Sequence, residues 1–250
     1  MWSAARQTTL VENIELRNAA KSTLIGALEN DPTLAEAYTM LAELELTSQT
    51  QNVSEALAFT HLATRANPAN FGGHVLQARI YTRTSRLTDQ NFDRNLGIKA
   101  IAAWKQVVKL DPRNAEAWAF LGKLYQLTGE PEQQIEALTK WTGSAASIDA
   151  GFYRALMGRD AELTPEAASI ELANALVKRN RTEEAVDILT RLLIDDPENI
   201  KAAKLAAETI DAEPKANLDK IAGKLRSALS ANPGNTALAM LVAKIGSSRM

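Results

Sequence analysis

The stretch AIAAWKQVVKLDPRNAEAWAFLGKLYQLTG, residues 100–129, decides the fold of this chain. In it, small and large apolar residues recur at intervals of three and four, which places them on one face of a helix. Asp111-Pro112 ends a first helix, because the residue before a proline is restricted away from α geometry. Asn114 can cap a second helix, and Glu116 in its first turn interacts favourably with the helix dipole. The stretch therefore predicts two helices joined by a short turn.

The pattern of the first of these helices recurs along the chain and ends each time at a proline. These prolines are Pro32, Pro68, Pro112, Pro197 and Pro233, spaced by 36, 44, 85 and 36 residues. The helix after Pro112 carries Trp118, Leu121-Gly122, Tyr125 and Gly129 in one run. That run resembles the first-helix signature of the tetratricopeptide repeat, whose period is 34 residues. The resemblance implies an all-α, right-handed solenoid of antiparallel helix pairs, with about five repeats and terminal helices.

The interval of 85 residues is long enough for two repeats and an insertion. We therefore expect an N-terminal array over residues 1–141, an irregular joint over 142–165, and a C-terminal array over 166–250. Residues 1–29 supply a second helix whose partner is missing or is absorbed into one long helix. At the other end, residues 236–245 predict an amphipathic helix that covers the last open face of the array.

The joint itself contains apolar residues at helical spacing. These are Phe152, Tyr153, Leu156 and Met157, followed by Gly158. They predict a short extra helix that ends at the glycine. Thr164-Pro165 then starts the next helix, with a capping hydroxyl and a proline in the first turn.

Composition excludes several functional classes. The 28 basic and 30 acidic residues give a net charge of −2, which argues against bulk binding of nucleic acid or acidic membranes. The chain has no cysteine and two histidines, so thiol chemistry and a histidine-rich metal site are excluded. No apolar run reaches the length of a membrane span, and the first residues do not form a signal peptide. We expect a cytoplasmic protein, or a periplasmic one if a targeting segment has been removed.

No pattern in the sequence predicts catalysis or a cofactor. The adjacent glycines Gly72-Gly73 do not form a phosphate-binding loop. His74 occupies a packing position, which favours a structural role, and His61 faces outward on a second helix. Three tryptophans fall at packing positions and are expected in the core: Trp104, Trp118 and Trp141. The sequence therefore indicates a protein that is not an enzyme.

The family resemblance also implies a binding surface, because the first helices of such repeats line a concave groove. The predicted partner-binding residues are Arg79, Arg83, Lys123, Gln126, Asn174, Lys178, Lys201 and Lys204. Six of these eight carry positive charge, so the expected partner is an acidic protein or peptide segment. Val75, Leu127 and Ile170 are expected to supply apolar contacts.

The resulting hypothesis is a protein-interaction scaffold that holds a partner segment in its groove. The resemblance suggests a role in bacterial assembly, secretion or biogenesis of a complex. One alternative is a self-associating structural module, with exposed Trp2 and Leu10 at one end and Leu241 and Ile245 at the other. A second alternative is a regulatory domain of a larger enzyme or sensor.

Overall fold

The computed structural model describes the backbone of residues 2–47, 51–87, 90–147, 149–214 and 217–248, and, within these ranges, the side chains of residues 14 to 247. Within these residues every extended regular element is an α-helix, which confirms the predicted all-α class. The helices are α1 (Trp2–Asn30), α2 (Ala35–Thr47), α3 (Val53–Ala66), α4 (Phe71–Thr84), α5 (Arg94–Leu110), α6 (Ala115–Thr128), α7 (Pro131–Thr142), α8 (Gly151–Met157), α9 (Pro165–Val177), α10 (Thr182–Asp195), α11 (Ile200–Ala212), α12 (Leu218–Ala231) and α13 (Thr236–Ser248).

The chain forms two compact units, Met1–Pro112 and Arg113–Met250. The first contains α1 to α5 and the second contains α6 to α13. The division falls in the turn after α5, whereas the sequence predicted a joint over 142–165. That segment lies inside the second unit, where α7 packs on α9. A weak point in stability over 142–165 stays a prediction.

In the first unit each helix packs on its neighbour in sequence, and α2 also packs on α4. The core consists of small residues that face large ones, with Ala100, Trp104 and Val107 of α5 fully buried. The long helix α1 is joined to the rest by Lys21, whose Nζ lies 2.6 Å from Glu45 Oε1 and 3.2 Å from Glu55 Oε1. Residues 2–30 form one long helix, as in the alternative in which the partner helix is absorbed into it.

In the second unit α6 packs on α7, α7 on α9, and α9 on both α10 and α11. The predicted Leu121-Gly122 pair lies at the first of these contacts. A Cβ atom at Gly122 would lie 2.7 Å from Leu138 Cδ2, so the glycine allows α7 to approach α6 closely. The extra helix predicted from Phe152 to Met157 is present as α8, and it ends at Gly158, whose φ is 111°.

The last helix, α13, packs on α11 and α12, as predicted for a terminal cap. Leu238, Leu241 and Ile245 form its buried face. The proposed self-association through exposed Leu241 and Ile245 is therefore wrong, because α11 and α12 already cover the face that carries them. The side chains of Trp2 and Leu10 lie outside the described residues.

Short turns with a shared sequence join most second helices to the following first helix. Each begins with Asp or Asn and continues with proline, and in four of them the N–H of the fourth residue donates to the carbonyl of the first. The N–H of Asn70 donates to Asn67 O at 2.9 Å, and that of Asn235 to Asn232 O at 3.0 Å. The same asparagines then cap the next helix through their side chains, as Asn70 Oδ1 does for the N–H of Gly73 at 2.7 Å.

Candidate functional site

The structure divides the eight predicted binding residues between the two units. Arg79 and Arg83 lie one turn apart on α4 in the first unit, with Arg79 half-buried and Arg83 exposed. The other six belong to the second unit and lie on three of its helices. Each group can therefore be described within its own unit, and a single continuous groove through all eight stays a prediction.

Within the second unit, the six residues lie on α6, α9 and α11. Lys123 Nζ on α6 lies 3.4 Å from Gln126 Oε1, one turn away. Asn174 on α9 is half-buried, and Lys178, which follows the last residue of that helix, is exposed. Lys201 and Lys204 are exposed on α11, which packs on α9. Lys204 is also 3.8 Å from Glu208 Oε1, so part of its charge is offset by its own helix.

A cleft of about 380 Å³ opens in the second unit beside α8. Its wall comes from four helices and one loop. The lining residues are Trp141 of α7, Tyr153 and Met157 of α8, the loop 158–162, Ala167, Ile170 and Glu171 of α9, and Lys201 of α11. The predicted apolar contact Ile170 and the predicted basic residue Lys201 thus line the same cleft.

The aromatic floor of the cleft is formed by Tyr153 and Trp141, and Phe120, which does not line the cleft, packs edge to face against Tyr153. Tyr153 lies 5.2 Å from Phe120 and 6.1 Å from Trp141 between ring centroids, with interplanar angles of 69° and 72°. All three side chains are buried. Edge-to-face pairs at these separations are favourable, because the positive edge of one ring meets the negative face of the next. The floor is therefore formed before any partner arrives.

Two polar groups in this floor have unusual surroundings. Burial raises the pKa of the Tyr153 hydroxyl, and the nearby negative charge of Glu171 raises it further. The indole Nε1 of Trp141 is buried and, among the described residues, has no hydrogen-bond acceptor. A buried polar group without a partner lowers the free energy of unfolding by about 1–3 kcal/mol, so the packing of this ring must raise it by more than that.

Hydrogen bonds to backbone carbonyls fix the loop that closes one side of the cleft. Arg154 Nε of α8 donates to Ala161 O at 3.2 Å, and the N–H of Ala161 donates to Gly158 O at 3.0 Å. Further along, the N–H of Ser147 donates to Leu163 O at 3.0 Å, which ties the two ends of the insertion together. The loop wall is thus built by the same segment that supplies the aromatic floor.

The charged residues around the cleft nearly cancel. Arg159 and Lys201 are positive, while Asp160, Glu162 and Glu171 are negative. All five are exposed. The arrangement combines an apolar floor with a polar rim, which is the usual organisation of a protein-binding site. Among the described residues, no group of His, Cys, Asp or Glu is arranged to hold a metal ion.

Reasoning from the sequence missed this cleft as a site, although it identified several of its residues. Tyr153 and Met157 were assigned only to an extra helix, and Trp141 only to the core. The available signal was the insertion itself, because an amphipathic segment between two repeats must place its apolar face against one of them. What the sequence does not contain is the identity of that neighbour.

The histidines and tryptophans follow the predictions made for them with one exception. His74 is buried, and its Nε2 lies 2.9 Å from Pro68 O. His61 is exposed, and its Nδ1 lies 2.9 Å from Gln77 Nε2. Trp104 and Trp141 are buried in the core. Trp118 is only half-buried.

Comparison with known proteins identifies the fold. Residues 99–148 match the family model described as tetratricopeptide repeat. YrrB, described as a tetratricopeptide-repeat protein with an unusual peptide-binding site, is 16% identical and superposes with a TM-score of 0.51. The superposition covers 87% of this chain and 96% of YrrB. The chain has the tetratricopeptide-repeat fold.

Other solved structures with this fold are also similar. MamA is 18% identical over 78% of this chain and 90% of its own, with a TM-score of 0.49. A tetratricopeptide repeat protein from Parabacteroides merdae is 15% identical over 96% of both chains, with a TM-score of 0.48. No curated protein sequence matches the chain significantly. Solenoids of this kind form extended concave surfaces that can bind partners. None of the described helices is long and apolar enough to cross a membrane.

Proposed function

We propose that the protein binds a segment of a partner protein along the face formed by α9 and α11 in its second unit. The observation that carries this proposal is that Ile170 of α9 and Lys201 of α11 line one open cleft. A partner segment there contacts an apolar wall and a lysine at the same time. Binding of an extended or helical segment by such a surface is a common mode of peptide recognition.

The expected partner carries acidic residues that face Lys201 and Lys204, and beyond them Lys178. These three side chains are exposed, so each ion pair contributes only about 0.2–1 kcal/mol. Apolar contacts in the cleft supply the larger share, at about 25 cal/mol per Å² of buried apolar surface. An affinity near 1 μM, about −8 kcal/mol, follows for a short segment.

Two further groups of residues belong to the proposal, each within its own unit: Arg79 and Arg83 on α4 of the first unit, and Lys123 and Gln126 on α6 with Asn174 on α9 of the second. Like Lys201 and Lys204, these residues lie on the first helices of repeats, which are expected to face the partner. A role in the bacterial assembly, secretion or biogenesis of a complex is the biological setting that we propose for this scaffold. The protein acts in that setting without catalysis of its own.

The test begins with a partner captured from the native lysate and identified by mass spectrometry. Its affinity for the parent is then compared by calorimetric titration with that for the double variant Lys201→Glu, Lys204→Glu. We expect the double variant to bind the partner at least tenfold more weakly than the parent, with an unchanged melting temperature. The difference in affinity should become smaller as salt screens the charges.

The matched control is Lys140→Glu with Arg226→Glu, which makes the same change of charge at exposed positions on the second helices α7 and α12. The control should bind like the parent. If the two double variants weaken binding equally, the partner responds to net charge and the α9–α11 face is not its site.

A further inference from the structure

We propose that the cleft beside α8 is an anchor pocket that receives one aromatic side chain of an acidic partner segment. This inference deepens the proposed function and rests on it, since it names the side chain that the α9–α11 face selects. The pocket belongs to the insertion between two repeats, because Tyr153, Met157 and the loop 158–162 all come from that segment. The four-residue turns at the other junctions bring no such side chains.

The size and lining of the cleft fit one large apolar side chain. Its volume of about 380 Å³ falls at the small end of ligand pockets, which span about 300–1,000 Å³. The lining contributes the rings of Trp141 and Tyr153 and the aliphatic side chains of Met157 and Ile170. Aromatic anchors seated in pockets of this kind typically dominate the affinity of an interface.

Ring geometry favours an aromatic occupant over an aliphatic one. Phe120, Tyr153 and Trp141 form a chain of edge-to-face contacts with centroid separations of 5.2 and 6.1 Å. A further ring placed in the cleft continues this arrangement against Tyr153. The phenol of Tyr153 presents no negative charge to the incoming ring, since the ordinary pKa of a tyrosine is about 10, and burial and then the charge of Glu171 raise it further.

The charges of the rim favour a neutral anchor flanked by an acidic residue. Two positive and three negative side chains line the cleft, so their fields largely cancel over the floor. On the α11 side the balance differs, because Lys201 is exposed and forms no ion pair among the described residues, and Lys204 lies one turn further on. An aspartate or glutamate next to the aromatic residue of the partner would meet Lys201.

Matched peptides test the pocket with the full chain. The probes are fluorescein-labelled peptides of alternating serine and aspartate with a single central Phe, Ala or Arg, and fluorescence anisotropy gives their dissociation constants. We expect the Phe peptide to bind at least tenfold more tightly than the Ala peptide, with a ratio that changes little with salt. An Arg peptide that binds more tightly than the Phe peptide would overturn the proposal and make the cleft a cation site.

A variant that fills the cleft completes the test. Ala167 lines the cleft and Ala155 of α8 is exposed outside it, so Ala167→Leu and Ala155→Leu add the same atoms at two sites. We expect Ala167→Leu to reduce the affinity of the Phe peptide to that of the Ala peptide, and Ala155→Leu to leave it unchanged. If the parent binds the Phe and Ala peptides with equal affinity, the cleft is not an anchor pocket.

The failure of this inference is distinguishable from that of the proposed function. If the Phe and Ala peptides bind equally but Lys201→Glu with Lys204→Glu weakens both, the anchor pocket is wrong and the α9–α11 face stands. If instead charge reversal has no effect while the Phe peptide remains tighter and Ala167→Leu abolishes the difference, the pocket stands and the charged face is wrong.

Discussion

Trp104 Nε1 of α5 donates a hydrogen bond of 2.8 Å to Thr82 Oγ1 of α4, and neither side chain is exposed to solvent. The bond ties the two helices of one repeat together at the centre of the first unit. A buried polar group without a partner lowers the free energy of unfolding by about 1–3 kcal/mol. The bond avoids this cost for both side chains. This is a structural role, and it agrees with the expectation that Trp104 belongs to the core.

Trp104→Ala should lower the free energy of unfolding by about 3–5 kcal/mol, because it empties a buried aromatic site. Trp104→Phe and Thr82→Val should each cost less, and the double variant should cost less than their sum, since each single change leaves one partner unsatisfied. Urea denaturation measures all of these values. Loss of partner binding by a Trp104 variant that melts like the parent would show instead that this ring contacts the partner.

Gly122→Ala should destabilise the second unit by about 1 kcal/mol. The added Cβ would lie 2.7 Å from Leu138 Cδ2 and 3.1 Å from Leu138 Cγ, so α6 and α7 would have to separate or Leu138 would have to change rotamer. Gly223→Ala is the control, because Gly223 is exposed in α12 and a Cβ there meets nothing within 4 Å. That variant should gain about 0.5–1 kcal/mol from helix propensity. The melting temperatures of the two variants and the parent test this prediction. If both substitutions raise the melting temperature, the α6–α7 contact tolerates the added methyl group.

Limited proteolysis should cut the chain first within 142–165. Repeats stabilise only their neighbours, and this segment is the longest interruption between consecutive repeats. Trypsin should cleave at Arg159, which is exposed in the loop after α8. Mass spectrometry of the early fragments identifies the site, and Arg159→Gln should slow the first cut. Early cleavage at Arg86, with Arg159 protected, would place the weak point in the first unit.

The carboxylate of Glu183 should contribute to stability in a pH-dependent way. A hydrogen bond from Lys220, at 2.5 Å, together with the charge of Lys224, holds the pKa of Glu183 below its ordinary value of 4.5. A carboxylate with a lowered pKa in the folded state stabilises the protein above the unfolded pKa and loses this effect as the pH falls through the folded value. Glu183→Gln should therefore reduce the decline in the urea midpoint between about pH 5 and about pH 3. Parallel declines in parent and variant would show that the surface pair contributes nothing.

The helical packing could be predicted from the sequence because it depends on local spacing. Ala100, Trp104 and Val107 are separated by four and three residues, and this spacing alone places them on one buried face. The caps could be predicted for the same reason, since Asn114 Oδ1 accepts from the N–H of Ala117 only three residues later, at 2.9 Å. Gly129 of the repeat signature ends α6 in the left-handed region, with φ of 76°.

The cleft could not be predicted because its parts come from distant segments. The apolar face of α8 was visible in the sequence, but nothing in its spacing indicates that Tyr153 contacts Phe120 of α6 and Trp141 of α7. The division of the chain after Pro112 was missed for a related reason. Residues 100–129 form the clearest repeat junction in the sequence, and a local pattern carries no information on how many longer-range contacts cross it.

The proline turns have a consequence for how such a chain changes in length. Successive turns at Pro32 and Pro68, and at Pro197 and Pro233, are 36 residues apart. A gene segment cut at two equivalent turns therefore encodes one complete helix pair with matching ends, and its duplication or loss requires no new backbone conformation. The insertion that contains α8 has no such ends. Its loss would remove Tyr153 and Met157 from the cleft, and with them part of the aromatic floor.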